Sequence, residues 1–391
     1  MSDWVSKKIG DIANLYQGLA INAKTKHLLV TESSLPLLRI KDLLEGTQEQ
    51  FVDPKLAPLQ CVVEPNELVM TRTGQVGYVF MGKSGVLHNN CFKITVTDPE
   101  VDTRFLYWHF NSTAQRDYLT TIAAGSVQPD LNHKVFKDYD VLLPPLPEQK
   151  AIASVLSSLD DKIDLLHRQN KTLEAMAETL FRQWFIEEAK EDWDEVQVKE
   201  VTTLNRRSVG KNYIHGDILY LDTGSLTKGV VGELQSYSLN EAPSRAKRLV
   251  QHNDILISTV RPNQCHYGIV SEPKDNLVVS TGFCTITCET ISPYFVYLLL
   301  TNTEMTEYLH SIAEGSTSTY PSLKPEDIGA VVFQMPPKEL LQQFHNLAES
   351  YWQKIHSNHK QIQTLENLRD TLLPKLMSGE VRVEYQTKEV A

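Results

Sequence analysis

The sequence predicts an α+β protein in which two repeated mixed α/β domains are joined by two long helices that pair as an antiparallel coiled coil with pseudo-two-fold symmetry. Three observations support this fold class: an internal repeat of roughly 190 residues, one long heptad pattern in each copy, and strand-like segments separated by frequent turns. The predicted segments are a first domain at 1–147, a central helix at 148–190, a second domain at 191–337, a distal helix at 338–379 and a C-terminal tail at 380–391.

The repeat appears as matching residues at a nearly constant spacing. The matches, first copy before second, include Asp3-Trp4 with Asp192-Trp193, Tyr107 with Tyr297, Tyr118 with Tyr308, Pro129 with Pro321 and Leu131 with Leu323. Two copies are too few for a solenoid, so we interpret the chain as a duplicated domain. By the same symmetry, the tail after Met377 should return to the first domain near Trp4 and bring the termini close together.

The two helical segments carry the clearest periodicity, because their seam residues step by alternating fours and threes. The first series is Ile152, Leu156, Leu159, Ile163, Leu166, Asn170, Leu173, Ala177, Leu180 and Trp184, and the second, 192 positions later, is Phe344, Ala348, Tyr351, Ile355, Asn358, Ile362, Leu365, Arg369, Leu372 and Leu376. Such heptad seams pair with each other, and the alternative is a helix packed on its own domain. A two-fold axis makes the pair antiparallel and places Asn170 opposite Asn358, which we expect to set the register.

The domains themselves have the pattern of mixed strands and helices. Glu67–Thr73, Val76–Met81 and Phe92–Val96 are predicted strands, because they are apolar and are bounded by turn residues. Thr103–Leu119 and its counterpart Tyr294–Leu309 have helical spacing of their aromatic and aliphatic residues.

Charge alone argues against nucleic-acid binding, because the net charge is −11 and phosphates are neutralised by cations. The acids are unevenly placed, however. They dominate residues 187–200, whereas residues 201–261 contain eight bases and five acids. A basic face can therefore exist on an acidic molecule, and a partner would supply the remaining phosphate contacts.

Motifs for catalysis are missing or weak. Residues 77–84 fit the P-loop pattern, but Tyr78–Met81 favours a strand and no helical pattern follows Ser84, so we interpret the segment as a β-hairpin with its turn at Gly82–Gly85. Cys284 and Cys288 lack zinc-finger spacing. We predict no catalytic site, no metal and no cofactor bound by this chain.

The sequence also bears on location. The start of the chain lacks a signal-peptide pattern, and its longest apolar run is too short to span a bilayer. The five cysteines have no disulfide-framework spacing. These features predict a cytoplasmic protein with no membrane partner.

Polar and basic residues near predicted turns are candidates for contact with DNA, because Arg and Lys can bind guanine edges and Asn and Gln can bind adenine. In the first domain they are Arg39, Lys41, Arg72, Gln75, Gln128, Asn132 and Lys134. In the second they are Arg206, Arg207, Arg245, Lys247, Arg248, Arg261, Asn263, Gln264 and Lys324. Singly each is more often a solvated surface residue, and the basic group of the second domain is the stronger indication.

Three segments resemble those of type I restriction-modification specificity subunits. Ala124–Asn132 resembles the family's Gly-Ser-x-Gln-Pro-x-Leu segment, Val141–Ala153 the entry to its central helix, and Leu372–Glu380 the end of its distal helix. The resemblance in domain organisation extends over essentially the whole chain. Gly315–Pro321 departs from the pattern, since it lacks the glutamine and is longer by two positions, which leaves the role of Gln128 open.

The resemblance implies two target-recognition domains that each recognise one half of a split, asymmetric sequence in double-stranded DNA, with the helices setting the gap. It implies docking of two methyltransferase subunits and of restriction (motor) subunits. S-adenosylmethionine, ATP and Mg²⁺ would then belong to those partners. Three alternatives stay open: a specificity subunit of a related two-subunit or methylation-only system, a P-loop nucleotide-binding protein, and a structural scaffold joined by its coiled coil.

Overall fold

The structure is a computed structural model that describes residues 3–123, 129–316 and 320–384. The chain divides into two compact units. Unit 1 comprises the described residues up to Asp164 together with those from Ile362 onward, and unit 2 comprises the described residues from Leu165 to Gln361. Each unit therefore contains one globular domain and one end of each long helix.

The first half of the chain alternates short strands with short helices before its long helix. Its strands are β1 (Val5–Lys8), β2 (Ala13–Gln17), β3 (Leu29–Val30), β4 (Leu37–Leu38), β5 (Phe51–Val52), β6 (Val62–Val63), β7 (Leu68–Thr71), β8 (Val79–Phe80), β9 (Gly85–Leu87), β10 (Cys91–Val96) and β11 (Asp140–Leu143). Its helices are α1 (Ile9–Ile12), α2 (Ile40–Glu45), α3 (Thr103–Phe110), α4 (Thr113–Ile122), α5 (His133–Lys137) and α6 (Leu146–Arg182).

An antiparallel sheet of order β2-β10-β7-β8 forms the framework of the domain in unit 1. Every residue of β7 is buried, as expected for a continuous apolar strand in the centre of a sheet. Phe92 and Ile94 of β10 lie in one apolar core with Phe105 and Trp108 of α3. A second sheet, of order β4-β9-β6, is built from the segments inserted between the framework strands.

The second half repeats this order. Its strands are β12 (Glu195–Gln197), β13 (Thr202–Leu204), β14 (Asp217–Leu221), β15 (Leu226–Thr227), β16 (Val230–Val231), β17 (Gln235–Ser238), β18 (Ala246–Leu249), β19 (Ile255–Ser258), β20 (Tyr267–Ile269), β21 (Leu277–Ser280), β22 (Phe283–Cys288) and β23 (Val332–Gln334). Its helices are α7 (Val198–Val201), α8 (Pro293–Thr301), α9 (Thr303–Glu314), α10 (Pro325–Gly329) and α11 (Lys338–Ser378).

The framework sheets of the two halves correspond strand for strand, and three strands of the inserted sheets correspond as well. The order β13-β22-β19-β20 in unit 2 matches β2-β10-β7-β8 in unit 1, and the pair β12-β23 matches β1-β11. The inserted sheet of unit 2, of order β17-β14-β21-β18, has the order and strand directions of β4-β9-β6 in its last three strands and adds β17 at the edge. The predicted duplication and the α+β class are therefore confirmed, and the two copies differ mainly in their inserted segments.

The long helices α6 and α11 pack together in each unit, with the beginning of one beside the end of the other. The core residues that they share are Ile152 and Leu156 with Leu373 and Leu376 in unit 1, and Ala177 and Phe181 with Phe344 and Ala348 in unit 2. This is the antiparallel pairing that the two heptad seams predict.

Two asparagines face each other within this seam in unit 2. Asn358 is fully buried, and its Nδ2 donates hydrogen bonds to Asn170 Oδ1 at 2.7 Å and to Gln169 Oε1 at 2.9 Å. A buried amide pair of this kind penalises any shift that would place either amide against an apolar side chain. That this pair sets the register stays a prediction.

The end of α11 packs on the start of the chain in unit 1. Gly379 adopts the left-handed conformation (φ 73°) that commonly terminates helices, and a Cβ at this position would lie 3.3 Å from the Trp4 ring. Arg382 pairs with both carboxylate oxygens of Glu148, whose side chain is fully buried at the start of α6. The guanidinium of Arg382 also lies 5.9 Å from the centre of the Trp4 ring.

Two local predictions are wrong. The helical segment Thr103–Leu119 is two helices, because Ser112 accepts a hydrogen bond from Gln115 N and so caps a new helix, as Asn302 does in the equivalent segment of unit 2. Gly82–Gly85 is not a hairpin turn: β8 pairs with β7, whereas β9 joins the inserted sheet beside β4 and β6.

Asn358→Leu should destabilise unit 2 by about 2 kcal/mol, because it leaves the Asn170 amide buried without its partner. The double variant Asn170→Leu/Asn358→Leu should regain at least the wild-type stability. Urea unfolding of the four proteins in a double-mutant cycle measures the coupling. The exposed Asn367→Leu on the same helix serves as the control, and a double variant as unstable as the single one would contradict the pairing.

His109 makes the stability of unit 1 depend on pH. Its side chain is buried in the core with Nε2 2.8 Å from Tyr139 Oη, and burial lowers its pKa to about 4. Between the ordinary histidine pKa near 6.5 and that value, the unfolded chain takes up a proton that the folded chain does not. Stability should therefore fall by about 2 kcal/mol between pH 7.5 and pH 5 through this residue alone.

His109→Gln should remove that part of the pH dependence, which denaturant unfolding at several pH values would measure. His27→Gln, on an exposed side chain, is the matched control and should keep the wild-type slope. Equal slopes in the His109 variant and the wild type would contradict the assignment.

Candidate nucleic-acid interface

In unit 1 the segment after β7 is fastened to the segment before α5. Gly74 N donates a hydrogen bond to Pro129 O at 3.2 Å, and Leu131 N donates to Arg72 O at 3.0 Å. Gly74 has a φ of 74°, a left-handed conformation that glycine adopts without strain. We call residues 72–75 and 129–132 loop pair 1. It brings together four of the predicted contact residues, since Arg72, Gln75 and Asn132 belong to it and Lys134 follows it.

Arg72 is the most tightly held cation of loop pair 1. Its guanidinium forms two parallel hydrogen bonds with Asp130, at 2.6 and 2.9 Å, and a third with Gln17 Oε1 at 2.7 Å. The bond to Arg72 keeps the pKa of Asp130 below its ordinary value, so the pair stays ionised. Arg72 is therefore largely neutralised within the chain, and it fixes the shape of the loop pair.

Unit 2 repeats the two backbone hydrogen bonds with different side chains. Arg261 N donates to Pro321 O at 2.9 Å, and Leu323 N donates to Thr259 O at 2.7 Å. We call residues 259–264 and 320–324 loop pair 2. The position of Gly74 in loop pair 1 is taken here by Arg261, whose φ is 48°.

Arg261 keeps this conformation at a cost of about 1 kcal/mol, since left-handed backbone is unfavourable for a residue with a Cβ. Its guanidinium lies 4.5 Å from the centre of the Tyr320 ring, a stacking arrangement that orients the planar group. Strained backbone of this kind is concentrated at functional sites, where a side chain is held in one position for binding or catalysis. Loop pair 2 therefore presents an oriented arginine at the position where loop pair 1 has a glycine.

A strip of cations adjoins loop pair 2. Val209 N donates to Lys247 O, and Leu249 N donates to Arg207 O, which hold the segment after β13 against β18. Thr281 N donates to Arg245 O, and the next residue, Gly282, accepts from Thr259 N in loop pair 2. The predicted residues Arg207, Arg245, Lys247 and Arg248 are thus neighbours in this strip.

The cations of the strip differ in the ion pairs and hydrogen bonds that their side chains form within the chain. Arg207, Arg245 and Lys247 are exposed, and the part of the chain that the structure describes gives them no ion pair within 4.0 Å. Arg248 is half-buried and bonds Ser208 Oγ at 3.3 Å. Arg206, by contrast, pairs with Glu289.

Arg39, directly before α2, and Lys41 on α2 form a separate cluster with acids in unit 1. Arg39 bonds Asp42 at 2.6 Å and Glu49 at 2.7 Å, and Lys41 bonds Glu49 at 2.6 Å. Bonds from Lys41 and Arg39 lower the pKa of Glu49, which is therefore ionised at neutral pH. These ion pairs compensate the charge of both cations, so unit 1 offers less free positive charge than its sequence indicates.

For the other predicted contact residues that the structure describes, no ion pair is found within the described part of the chain. Asn132 caps α5 by accepting a hydrogen bond from Val135 N at 3.0 Å. Exposed side chains are found at Gln75, Lys134, Asn263, Gln264 and Lys324. Gln128 lies outside the described residues.

Sequence reasoning missed two residues that shape these loops. Gln17, at the end of β2, holds Arg72, and Tyr320 supports Arg261. The position of Tyr320 directly before Pro321 matches that of Gln128 before Pro129, and this alignment was a usable signal. Gln17 had none, because its partner lies 55 positions away along the chain.

Other chemistries find little support in the described residues. Within them, no group of three or more His, Cys, Asp or Glu side chains is arranged to hold a metal ion. The P-loop-like segment 77–84 leads into strand β9 at Gly85, whereas phosphate binding by a P-loop requires a helix at that point. None of the described helices is both long and apolar enough to cross a bilayer.

Comparison with known proteins agrees with this arrangement. Residues 1–175 match the family model described as the type I restriction modification DNA specificity domain. A solved structure of a type I restriction-modification S subunit from M. genitalium superimposes with a TM-score of 0.64 and 17% identity, covering 95% of this chain and 96% of that one. It shows that the fold is shared.

Relatives that are similar over nearly the whole chain carry the same description. The specificity subunit of type I restriction enzyme MjaIX from Methanocaldococcus jannaschii is 28% identical, with 98% of this chain and 94% of the relative covered. That of EcoBI from Escherichia coli is 22% identical, with 98% and 88% covered. Over nearly its whole length the chain is thus similar to type I restriction-modification specificity subunits.

Proposed function

We propose that each unit recognises one half of a bipartite, asymmetric sequence in double-stranded DNA, and that loop pair 1 and loop pair 2 contact the bases or phosphates. The observation that carries this proposal is the repeated loop pair. The same two backbone hydrogen bonds hold both, yet one presents a glycine and a neutralised arginine and the other an oriented arginine. Equivalent scaffolds with different side chains are suited to two different half-sites.

The cationic strip of unit 2 would contact phosphates. Exposed Lys and Arg next to a base-reading loop position a protein on the duplex without reading its sequence. Because the chain as a whole has a net charge of −11, further phosphate contacts would come from partner subunits. The antiparallel helices α6 and α11 would set the gap between the two half-sites.

Specificity subunits are the non-catalytic component of type I restriction-modification complexes. We propose that this chain docks two methyltransferase subunits, one for each repeat, and restriction subunits that cleave DNA. S-adenosylmethionine would bind the methyltransferases, and ATP with Mg²⁺ would bind the restriction subunits. Assembly on chromosomal DNA would take place in the cytoplasm.

The proposal is tested by mapping modified bases in the genome of a methylation-free host that expresses this chain with its methyltransferase. We expect one two-part motif with a fixed gap, methylated only when this chain is present. A host that expresses the methyltransferase alone is the control. Absence of chain-dependent methylation, with both proteins soluble and associated, would contradict the proposal.

Arg261→Gly should weaken DNA recognition without lowering the stability of the fold. Glycine adopts a φ of 48° without strain, so stability should stay the same or rise by about 1 kcal/mol. Affinity for the methylated motif should fall about tenfold, and sequence discrimination should relax in one half of the motif only. Duplex binding and methylation mapping measure both effects.

The control for this variant is Arg104→Ala, an exposed arginine on α3 that lies outside both loop pairs. It should leave the motif unchanged. Relaxation of both halves in the Arg261 variant, or of neither, would contradict the assignment of loop pair 2 to one half-site.

A further inference from the structure

Unit 2 contains an open cleft between its domain and α11, with a volume of about 410 Å³. Its aromatic lining consists of Tyr294, Tyr297 and Trp352, and the Trp352 ring centre lies 5.1 Å from that of Tyr294 and 5.8 Å from that of Tyr297. Two carboxylates, those of Glu174 and Glu349, line it as well. Aromatic faces together with carboxylates form the surroundings that proteins use to bind organic cations.

The three carboxylates of this cleft differ in their partners. Glu272 forms an ion pair with Lys360 at 2.6 Å and lies 3.3 Å from His356 Nε2. For Glu174 and Glu349, in contrast, the described residues provide no ion pair. Burial and the neighbouring Glu178 raise the pKa of Glu174, which is the direction expected of an acid without a cationic partner.

The histidines of the lining do not compensate these acids. Burial is the largest of the effects that lower the pKa of His359, which is therefore neutral near pH 7. His252 Nδ1 accepts a hydrogen bond from Glu272 N, so that nitrogen carries no proton. The Glu174 side of the cleft is accordingly negative.

The hydroxyl of Tyr297 is a further polar group of the cleft lining. The described residues give this hydroxyl no hydrogen-bond partner, although nine-tenths of the side chain is buried. Beside it stands Gly229, where an added Cβ would lie 3.8 Å from Tyr297 Oη. The hydroxyl oxygen can therefore accept a hydrogen bond from a ligand in the cleft.

In unit 1, an arginine of this chain lies near the tyrosine that is equivalent to Tyr297. Tyr107 of unit 1 is equivalent to Tyr297, and the groups that act on its pKa include Asp160 and Arg369. Arg369 bonds Asp160 at 2.7 Å beside this tyrosine. In unit 2 the residue 192 positions before Arg369 is Ala177, so the guanidinium is absent.

We propose that the cleft of unit 2 binds a guanidinium group, supplied by an arginine side chain of the docked methyltransferase. The identity of the ligand as a methyltransferase arginine rests on the proposed function, whereas the binding of a guanidinium group in the cleft does not. Arginine is favoured because its planar group stacks on aromatic rings and pairs with a carboxylate in two places. The equivalent place in unit 1 already holds an arginine, so the two repeats would dock their partners with different contacts.

In the first experiment, N-acetylarginine amide is titrated into the protein, and binding is measured from the NMR signal of the Trp352 indole. Binding should be about tenfold weaker in Glu174→Gln, because a charge-assisted hydrogen bond becomes a neutral one. The matched control is Glu366→Gln, at the equivalent position of unit 1, which should bind as the wild type does. No binding to the wild type, or equal weakening in both variants, would overturn the proposed site.

The second experiment tests the occupant with the methyltransferase itself, by native mass spectrometry and titration. The wild type and Glu366→Gln should bind two copies with unchanged affinities, and Glu174→Gln should bind one copy about tenfold more weakly. Full affinity of Glu174→Gln for both copies would overturn the methyltransferase arginine as the occupant. A wild-type chain that binds no methyltransferase would refute the proposed function and this occupant, while the amide titration still decides whether the cleft binds guanidinium.

Discussion

The pairing of α6 with α11 is the interaction on which the rest of the molecule depends. Neither domain completes its apolar core with its own strands and short helices. In unit 1 the core includes Leu373 and Leu376, which lie more than 200 residues beyond the domain's framework strands, and in unit 2 it includes Ala177 and Phe181 of the helix that precedes the domain. Each domain therefore folds onto helix segments that belong to both halves of the chain.

This dependence explains why the framework is repeated. The strands that face the long helices have the same order in both units, because they bury residues against a common seam. The inserted segments pack in smaller clusters, two of which include framework residues such as Val69 and Leu256, and unit 2 adds β17 to the sheet that they form. The inserted segments and the loop pairs can thus vary in sequence without disturbing the core that contacts the long helices.

The sequence was sufficient for the parts of the fold that rest on long periodic patterns. The heptad seams predict both long helices and place Asn170 against Asn358, because a regular pattern over about nine turns has few alternative pairings. Short-range features were less predictable. The break at Ser112 depends on one side chain capping a helix, and β9 pairs with β4, whose residues lie 49 positions earlier in the chain, and not with β8.

The sequence predicted which residues could belong to the candidate site, but not which of them form ion pairs within the chain. Sequence placed Arg39, Lys41 and Arg72 among the exposed cations, yet each is paired with an acid of its own unit. Such pairs depend on which acid the fold brings near, and no periodic pattern encodes that. The strip of unit 2 was easier to predict, because its cations are concentrated in one stretch of chain with few acids.

The two repeats therefore differ in a consistent way. Unit 1 contains two internal ion pairs, Arg72 with Asp130 and Arg369 with Asp160, whereas unit 2 has uncharged residues at the equivalent positions. Thr259 and Ala177 replace the two arginines, and the freed surroundings hold Arg261 in one case and the acidic cleft in the other. A duplicated chain that must bind an asymmetric target needs such a difference, because two identical surfaces related by a two-fold axis recognise only a palindrome.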